Sequence, residues 1–71
     1  MSTVYINRPA VELFKLLKFQ GLVASGGEAK MVIAEGYVKV NGEVETRKRK
    51  KINAGDVIEF GGHTMLVELD G

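Results

Sequence analysis

Seventy-one residues allow one domain with a small core, and the apolar fraction of 45% is that of a folded globular chain rather than a disordered one. The formal net charge of +1 points to no partner by itself. With no cysteine the core has no covalent staple, so modest stability, or stability helped by a partner, is expected.

The charges are unevenly distributed. All ten basic residues lie between positions 8 and 51, together with five of the nine acids. The last twenty residues hold four acids and no base. Such asymmetry implies a positive face. No apolar run approaches a membrane span, and the first residues lack the pattern of a secretory leader. A cytoplasmic protein with no membrane association is the expectation.

In chain order, Thr3 to Ile6 is β-prone and reads as a short edge strand. Pro9 suits the first turn of a helix. Ala10, Leu13, Phe14 and Leu17 then fall at i, i+3, i+4, i+7, which predicts one apolar helix face from about Pro9 to Phe19, ended by Gly21. Ser25-Gly26-Gly27-Glu28 is a capping box, with Ser25 as N-cap and Glu28 reaching back to it. It opens a second helix over about Gly26 to Glu35, with Ala29, Val32 and Ile33 on its apolar face and Gly36 as C-cap.

Tyr37 to Asn41 alternates, with Val38 and Val40 facing one way and Lys39 the other, as in a half-buried strand. Asn41-Gly42 is a strong hairpin signal, and the strand returns through Val44. Five consecutive cations follow, Arg47, Lys48, Arg49, Lys50 and Lys51. Asn53-Ala54-Gly55-Asp56 reads as a turn, Val57 to Phe60 as a strand, Gly61-Gly62 as a second hairpin turn and Thr64 to Leu69 as a final strand with Met65, Val67 and Leu69 on one face. The expected class is α+β: two short helices packed on a small antiparallel sheet.

Catalytic chemistry finds little support. The one histidine, His63, follows two glycines in a turn, Glu28 is occupied by a cap, Asp56 sits in a turn, and Gly26-Gly27 lacks the spacing of a phosphate-binding loop. No enzyme activity, cofactor or metal is expected. Phosphate binding is better supported. Five adjacent cations repel one another unless an anion lies near, and a polyanion meeting them releases counterions. Lys30 adds a cation in the first turn or so of the second helix, where the dipole does not favour it. The helix start offers backbone N–H groups to a phosphate. Lys39 is expected on the open face of the sheet. Tyr37 is read as packing and Asn41 as a turn residue.

This ordered set resembles the S-four RNA-binding domain family, named for a small-subunit ribosomal protein. The carrying pieces are Ser-Gly-Gly-Glu-Ala-Lys opening the second helix, Gly-Tyr-Val-Lys-Val-Asn-Gly, the acidic-then-basic loop and Ala-Gly-Asp-Val-Ile, over about Val11 to Phe60. Within the family it resembles the small stand-alone bacterial YbcJ-like proteins, in which the domain is nearly the whole chain. The resemblance implies the alpha-L RNA-binding motif, one RNA-binding domain over residues 1–71, and RNA meeting the second helix and the following strand and loop. The matching positions are Ser25, Gly26, Lys30, Lys39, Asn41 and Arg47, Lys48, Arg49, Lys50 and Lys51. Many members carry an arginine directly after the helix serine. Here that place is Gly26, which shifts the burden to Arg47–Lys51. The implied partner is a structured RNA (ribosomal, transfer or small), with a ribosome-associated protein as a further partner. The competing expectation is a protein-interaction module whose basic loop docks on an acidic partner.

Overall fold

In the computed structural model, which describes residues 1–70, nine elements follow one another. They are β1 (Ser2–Ile6), β2 (Ala10–Glu12), α1 (Leu13–Phe19), α2 (Gly26–Ala34), β3 (Val38–Val40), β4 (Glu43–Val44), β5 (Lys51–Asn53), β6 (Val57–Phe60) and β7 (His63–Leu69). Five strands form one sheet in the order β1-β7-β6-β3-β4, and β2 pairs with β5 in a separate two-stranded ladder. All pairs are antiparallel except β1 with β7, which run parallel with Val4 opposite Val67. The expected edge strand is therefore present, and the sheet is mostly rather than wholly antiparallel.

The core gathers one side of this sheet and the facing sides of both helices. Leu13, Leu16 and Leu17 from α1 and Ala29 and Ile33 from α2 are buried with Val38, Ile52, Ile58, Met65 and Val67. Each large aliphatic side chain removed from water contributes roughly 1.5–3 kcal/mol. No buried side-chain nitrogen or oxygen among the described residues lacks a partner. Leu69, placed by its alternation with Met65 and Val67, is exposed, because it lies at the end of β7.

The local punctuation follows physical expectation. Both helices end in a residue of positive φ, Gly21 at +70° and Gly36 at +82°. At the second end Tyr37 N–H donates to Val32 O and Gly36 N–H to Ile33 O, the paired bonds of a Schellman cap. A side chain at Gly36 would be strained in that conformation and would meet Val44. Asn41 (φ 53°) and Gly42 (φ 85°) turn β3 into β4, as the dipeptide required.

Helix α1 departs from the sequence expectation. It starts at Leu13, not Pro9, because Ala10–Glu12 is extended and pairs with Lys51–Asn53. Ala10 matched the helical spacing only by coincidence with a strand that a distant partner stabilises. Glu12, at the N-cap position, makes no side-chain cap. Instead Leu13 N–H donates to Lys50 O (3.0 Å) and Phe14 N–H to Lys48 O (3.1 Å). Carbonyls of the basic segment thus satisfy the open start of α1, which otherwise leaves unpaired donors. In α2 the cap forms with a shift. Glu28 N–H donates to Ser25 Oγ (3.1 Å), but the Glu28 carboxylate accepts from Ala24 N–H (2.7 Å), one residue before the expected Ser25. No helix among the described residues is long and apolar enough to cross a membrane.

Candidate functional site

The segment from Arg47 to Lys51 is not a free solvated loop. Its backbone caps α1, Lys50 N–H donates to Arg47 O in a turn, and Lys51 already belongs to β5. These anchors send the five side chains to different neighbours.

Arg47 turns toward the hairpin. Its Nε and Nη2 donate to the two oxygens of Glu45 at 2.9 and 3.1 Å, and its backbone N–H donates to the same carboxylate. These bonds hold the Glu45 carboxyl at a pKa of about 2, well below the usual carboxylate range. Arg47 and Lys50 line a shallow depression with Asn41 and Glu43.

Arg49 turns toward α1. Its Nη1 donates to Glu12 Oε2 at 3.2 Å, and Glu12 Oε1 holds Lys15 Nζ at 3.1 Å. Lys15 first, and then Arg49, keep the Glu12 carboxyl below its ordinary value. Arg49 also stands over the Phe14 ring, its guanidinium carbon 5.4 Å from the centroid. Lys30 approaches the same ring from α2 at 4.8 Å, and Lys15 at 5.8 Å. Phe14 therefore gathers cations from three segments far apart in the chain. Each cation–π contact at an exposed site contributes about 0.5–1 kcal/mol.

The start of α2 joins this cluster. A Cβ on Gly26 would lie 3.9 Å from two carbons of the Phe14 ring, an ordinary contact. Ser25 Oγ is occupied by its cap, while no protein group among the described residues accepts from the Gly26 and Gly27 N–H groups. Gly26, Lys30 and Arg49 are thus brought together around Phe14, with Ser25 preceding Gly26 in the chain.

Lys39 lies elsewhere, on the outer face of the sheet opposite Glu59 and Val44. It lines a shallow depression with Tyr37, Glu59, His63 and Thr64. Tyr37, expected to pack, is 63% exposed. Asn41 is exposed, but its side chain is engaged by neighbouring groups of the protein. Its Oδ1 accepts from Val57 N–H at 2.8 Å and its Nδ2 donates to Asp56 at 3.1 Å, tying the β3–β4 turn to β6. Lys48, Lys50 and Lys51 form no ion pair among the described residues. Lys51 shares a third depression with Arg8, Glu12, Lys15 and Phe19.

Phe14, Lys15, Glu12 and Arg8 did not stand out in the sequence. Phe14 read as part of an apolar helix face. The only signal available was that Glu12 and Lys15 are spaced i, i+3. No cluster of His, Cys, Asp or Glu able to hold a metal occurs among the described residues.

Fold and site together define a small α+β module of the alpha-L plan, two helices on a mostly antiparallel sheet, with cations from α1, α2 and the β4–β5 segment collected around one aromatic ring. The chain belongs to the S4 domain family, whose model matches residues 4–68. It is 58% identical over 68 residues to the Escherichia coli protein named "Putative RNA-binding protein YbcJ", covering 94% of this chain and 97% of that one. It is 36% identical over 61 residues, 86% of each chain, to the Bacillus subtilis "Probable ribosome maturation protein RlbA". Its fold matches the solution structure of E. coli YbcJ, described as revealing an alfaL motif involved in RNA binding, with a TM-score of 0.72 and 52% identity over 96% of this chain and 87% of that one. It also matches the 30S ribosomal protein S4e of Thermoplasma acidophilum, with a TM-score of 0.67 and 29% identity over 82% of this chain and 31% of that longer chain.

Proposed function

We infer that this chain is a non-catalytic RNA-binding protein of the cytoplasm that holds structured RNA through phosphate contacts. The observation that carries this reading is the convergence of Lys15, Lys30 and Arg49 on Phe14, beside the open N–H groups of Gly26 and Gly27. Three cations near one ring repel each other. Glu12 offsets part of that repulsion through Lys15 and Arg49, and Lys30 has no ion-pair partner among the described residues. A phosphate supplies the missing negative charge and accepts from the helix start.

Ser25, Gly26, Lys30 and Arg49 form the centre of the proposed interface, with Lys48, Lys50 and Lys51 continuing it. Arg47 reaches RNA only by sharing or leaving Glu45. Lys39 contributes from the sheet face, and Asn41 shapes the turn that presents the hairpin. Rigid elements present these charges, which suits RNA recognised by shape rather than by base sequence. The names of the relatives support RNA as the ligand, and the ribosome maturation and 30S proteins among them support ribosomal RNA as the first candidate, ahead of transfer and small RNA.

The test is recovery of bound nucleic acid after crosslinking in cells, with an Arg47/Arg49/Lys50→Gln variant beside the wild type. Enrichment of one RNA class by the wild type and its loss in the variant is expected. Recovery of folded protein with no RNA from the wild type would overturn the reading and favour docking of the basic segment on an acidic protein.

A further inference from the structure

Two shallow depressions meet at Phe19, the last residue of α1, whose ring is 72% exposed. On one side lie Tyr5 and the end of β1. On the other lie Arg8, Lys15 and Lys51, each exposed, with Glu12 between them. Arg8 borders both depressions. The exposed Phe19 ring is thus bordered by Arg8, Lys15 and Lys51, with the acids Glu12 and Asp70 also lining the two depressions.

The charge balance on the Lys51 side is positive. Its one carboxylate, Glu12, is already held by Lys15 at 3.1 Å and Arg49 at 3.2 Å. Lys51 stands opposite Glu12 in the β2–β5 ladder and is the last of the five consecutive cations. Lys15 faces both Phe14 and this depression. The cationic surface therefore continues from the Phe14 cluster, across Lys15 and Lys51, to Phe19.

We propose that Phe19 is a stacking platform for an unpaired base of the bound RNA, with Arg8 and Lys51 holding the phosphates on either side of that nucleotide. A planar π-face beside cations matches the two parts of a nucleotide, and stacking on an aromatic accepts any base. The proposal rests on the RNA-binding reading and extends its footprint beyond the second helix and the loop, to the end of the first helix and the β1–β2 connection. It assigns an unpaired nucleotide next to the structured part of the ligand.

Two hairpin RNAs with the same stem and loop provide the test, one blunt and one with a single-stranded 3′ tail carrying 2-aminopurine. The full chain is compared with Phe19→Ala, Phe19→Tyr and an Arg8→Gln/Lys51→Gln double variant. The wild type binds the tailed RNA more tightly and quenches its fluorescence. Phe19→Ala loses about tenfold in affinity for the tailed RNA alone and abolishes quenching, Phe19→Tyr retains both, and the double variant weakens the tailed complex more than the blunt one. Equal wild-type affinity for the two RNAs, or a Phe19→Ala protein that quenches as the wild type does, overturns the proposal. In that case, loss of binding in the Arg47/Arg49/Lys50→Gln variant would show that the RNA-binding reading survives without it. Failure of the wild type to bind either RNA overturns both.

Discussion

The guanidinium of Arg49 lies 5.4 Å from the centroid of the Phe14 ring while donating to Glu12 at 3.2 Å. One side chain of the basic segment is thus fixed from two directions by the first helix and the residue before it. Lys30, from the second helix, uses the same ring at 4.8 Å. Replacing Phe14 with Leu keeps most of the apolar volume and removes the π-face. Stability should fall by about 1–1.5 kcal/mol in chemical denaturation. RNA affinity should fall several-fold, while its salt dependence stays the same because no charge is lost. A flatter salt dependence would mean that a displaced cation has lost its phosphate contact, and an unchanged affinity would mean that Phe14 does not place these cations for RNA.

Glu45 holds Arg47 in a two-oxygen pair and so competes with any phosphate for it. Changing Glu45 to Gln should strengthen RNA binding and steepen the slope of log affinity against log salt by up to roughly 0.7–0.9, the increment of one phosphate contact. The same change should alter acid stability. The Glu45 carboxyl titrates near 2 in the folded chain against 4.5 ordinarily, so between those values the unfolded chain binds the extra proton. The stability it contributes is complete above about pH 4.5 and is lost as pH falls toward 2. Glu12 is shifted in the same direction and adds to the same acid limb. Urea midpoints between pH 2 and 6 should therefore fall less steeply for Glu45→Gln than for the wild type, with little difference in shape above pH 5.

Gly26 is the first residue of α2 and lies beside the Phe14 ring. Its φ is not in the left-handed region, and a Cβ there would make only ordinary contact with Phe14. Gly26→Arg should therefore fold and bind RNA more tightly, with a slope steeper by roughly 0.7–0.9. A cation at this helix end costs a few tenths of a kcal/mol in the free protein, visible as a small drop in melting temperature. Tighter binding with no change in slope would place the arginine away from phosphate.

Asn41 binds the turn to β6 through Val57 and Asp56 and holds a positive φ that few side chains accept. Asn41→Ala should lower stability by about 1–2 kcal/mol. RNA affinity of the folded fraction should change less than twofold if the residue serves the turn alone. A larger loss at full folding, followed by circular dichroism, would assign Asn41 a direct contact with RNA.

Most of the elements were legible because their signals are local. Ser25 with Glu28, Asn41 with Gly42, and Gly21 and Gly36 each act through neighbours within a few residues, and each does what its chemistry requires. The first turn assigned to α1 was misread because Ala10–Glu12 is held extended by residues forty positions away. The parallel pairing of β1 with β7 joins opposite ends of the chain and leaves no periodic trace. The site followed the same division. The cations were visible as a run, but their sorting was not. Glu45 captures Arg47, the α1 cap directs Arg49 toward Phe14, and Lys51 enters a strand. Phe14 read as core because its helical spacing with Leu13 and Leu17 is that of a buried face, and it is buried. Its second role depends on Lys30 and Arg49 arriving from elsewhere.

The most direct test of phosphate-mediated RNA binding is the salt dependence of affinity for a structured RNA, measured for the wild type and for Arg47/Arg49/Lys50→Gln. About five neutralised phosphates give a slope of log affinity against log salt of roughly −3.5 to −4.5. The triple variant should bind every RNA more weakly and flatten that slope by roughly 2, with less if Glu45 keeps Arg47 from the RNA. A wild-type slope near zero, or a variant with unchanged affinity and slope, would contradict RNA binding through this cationic segment.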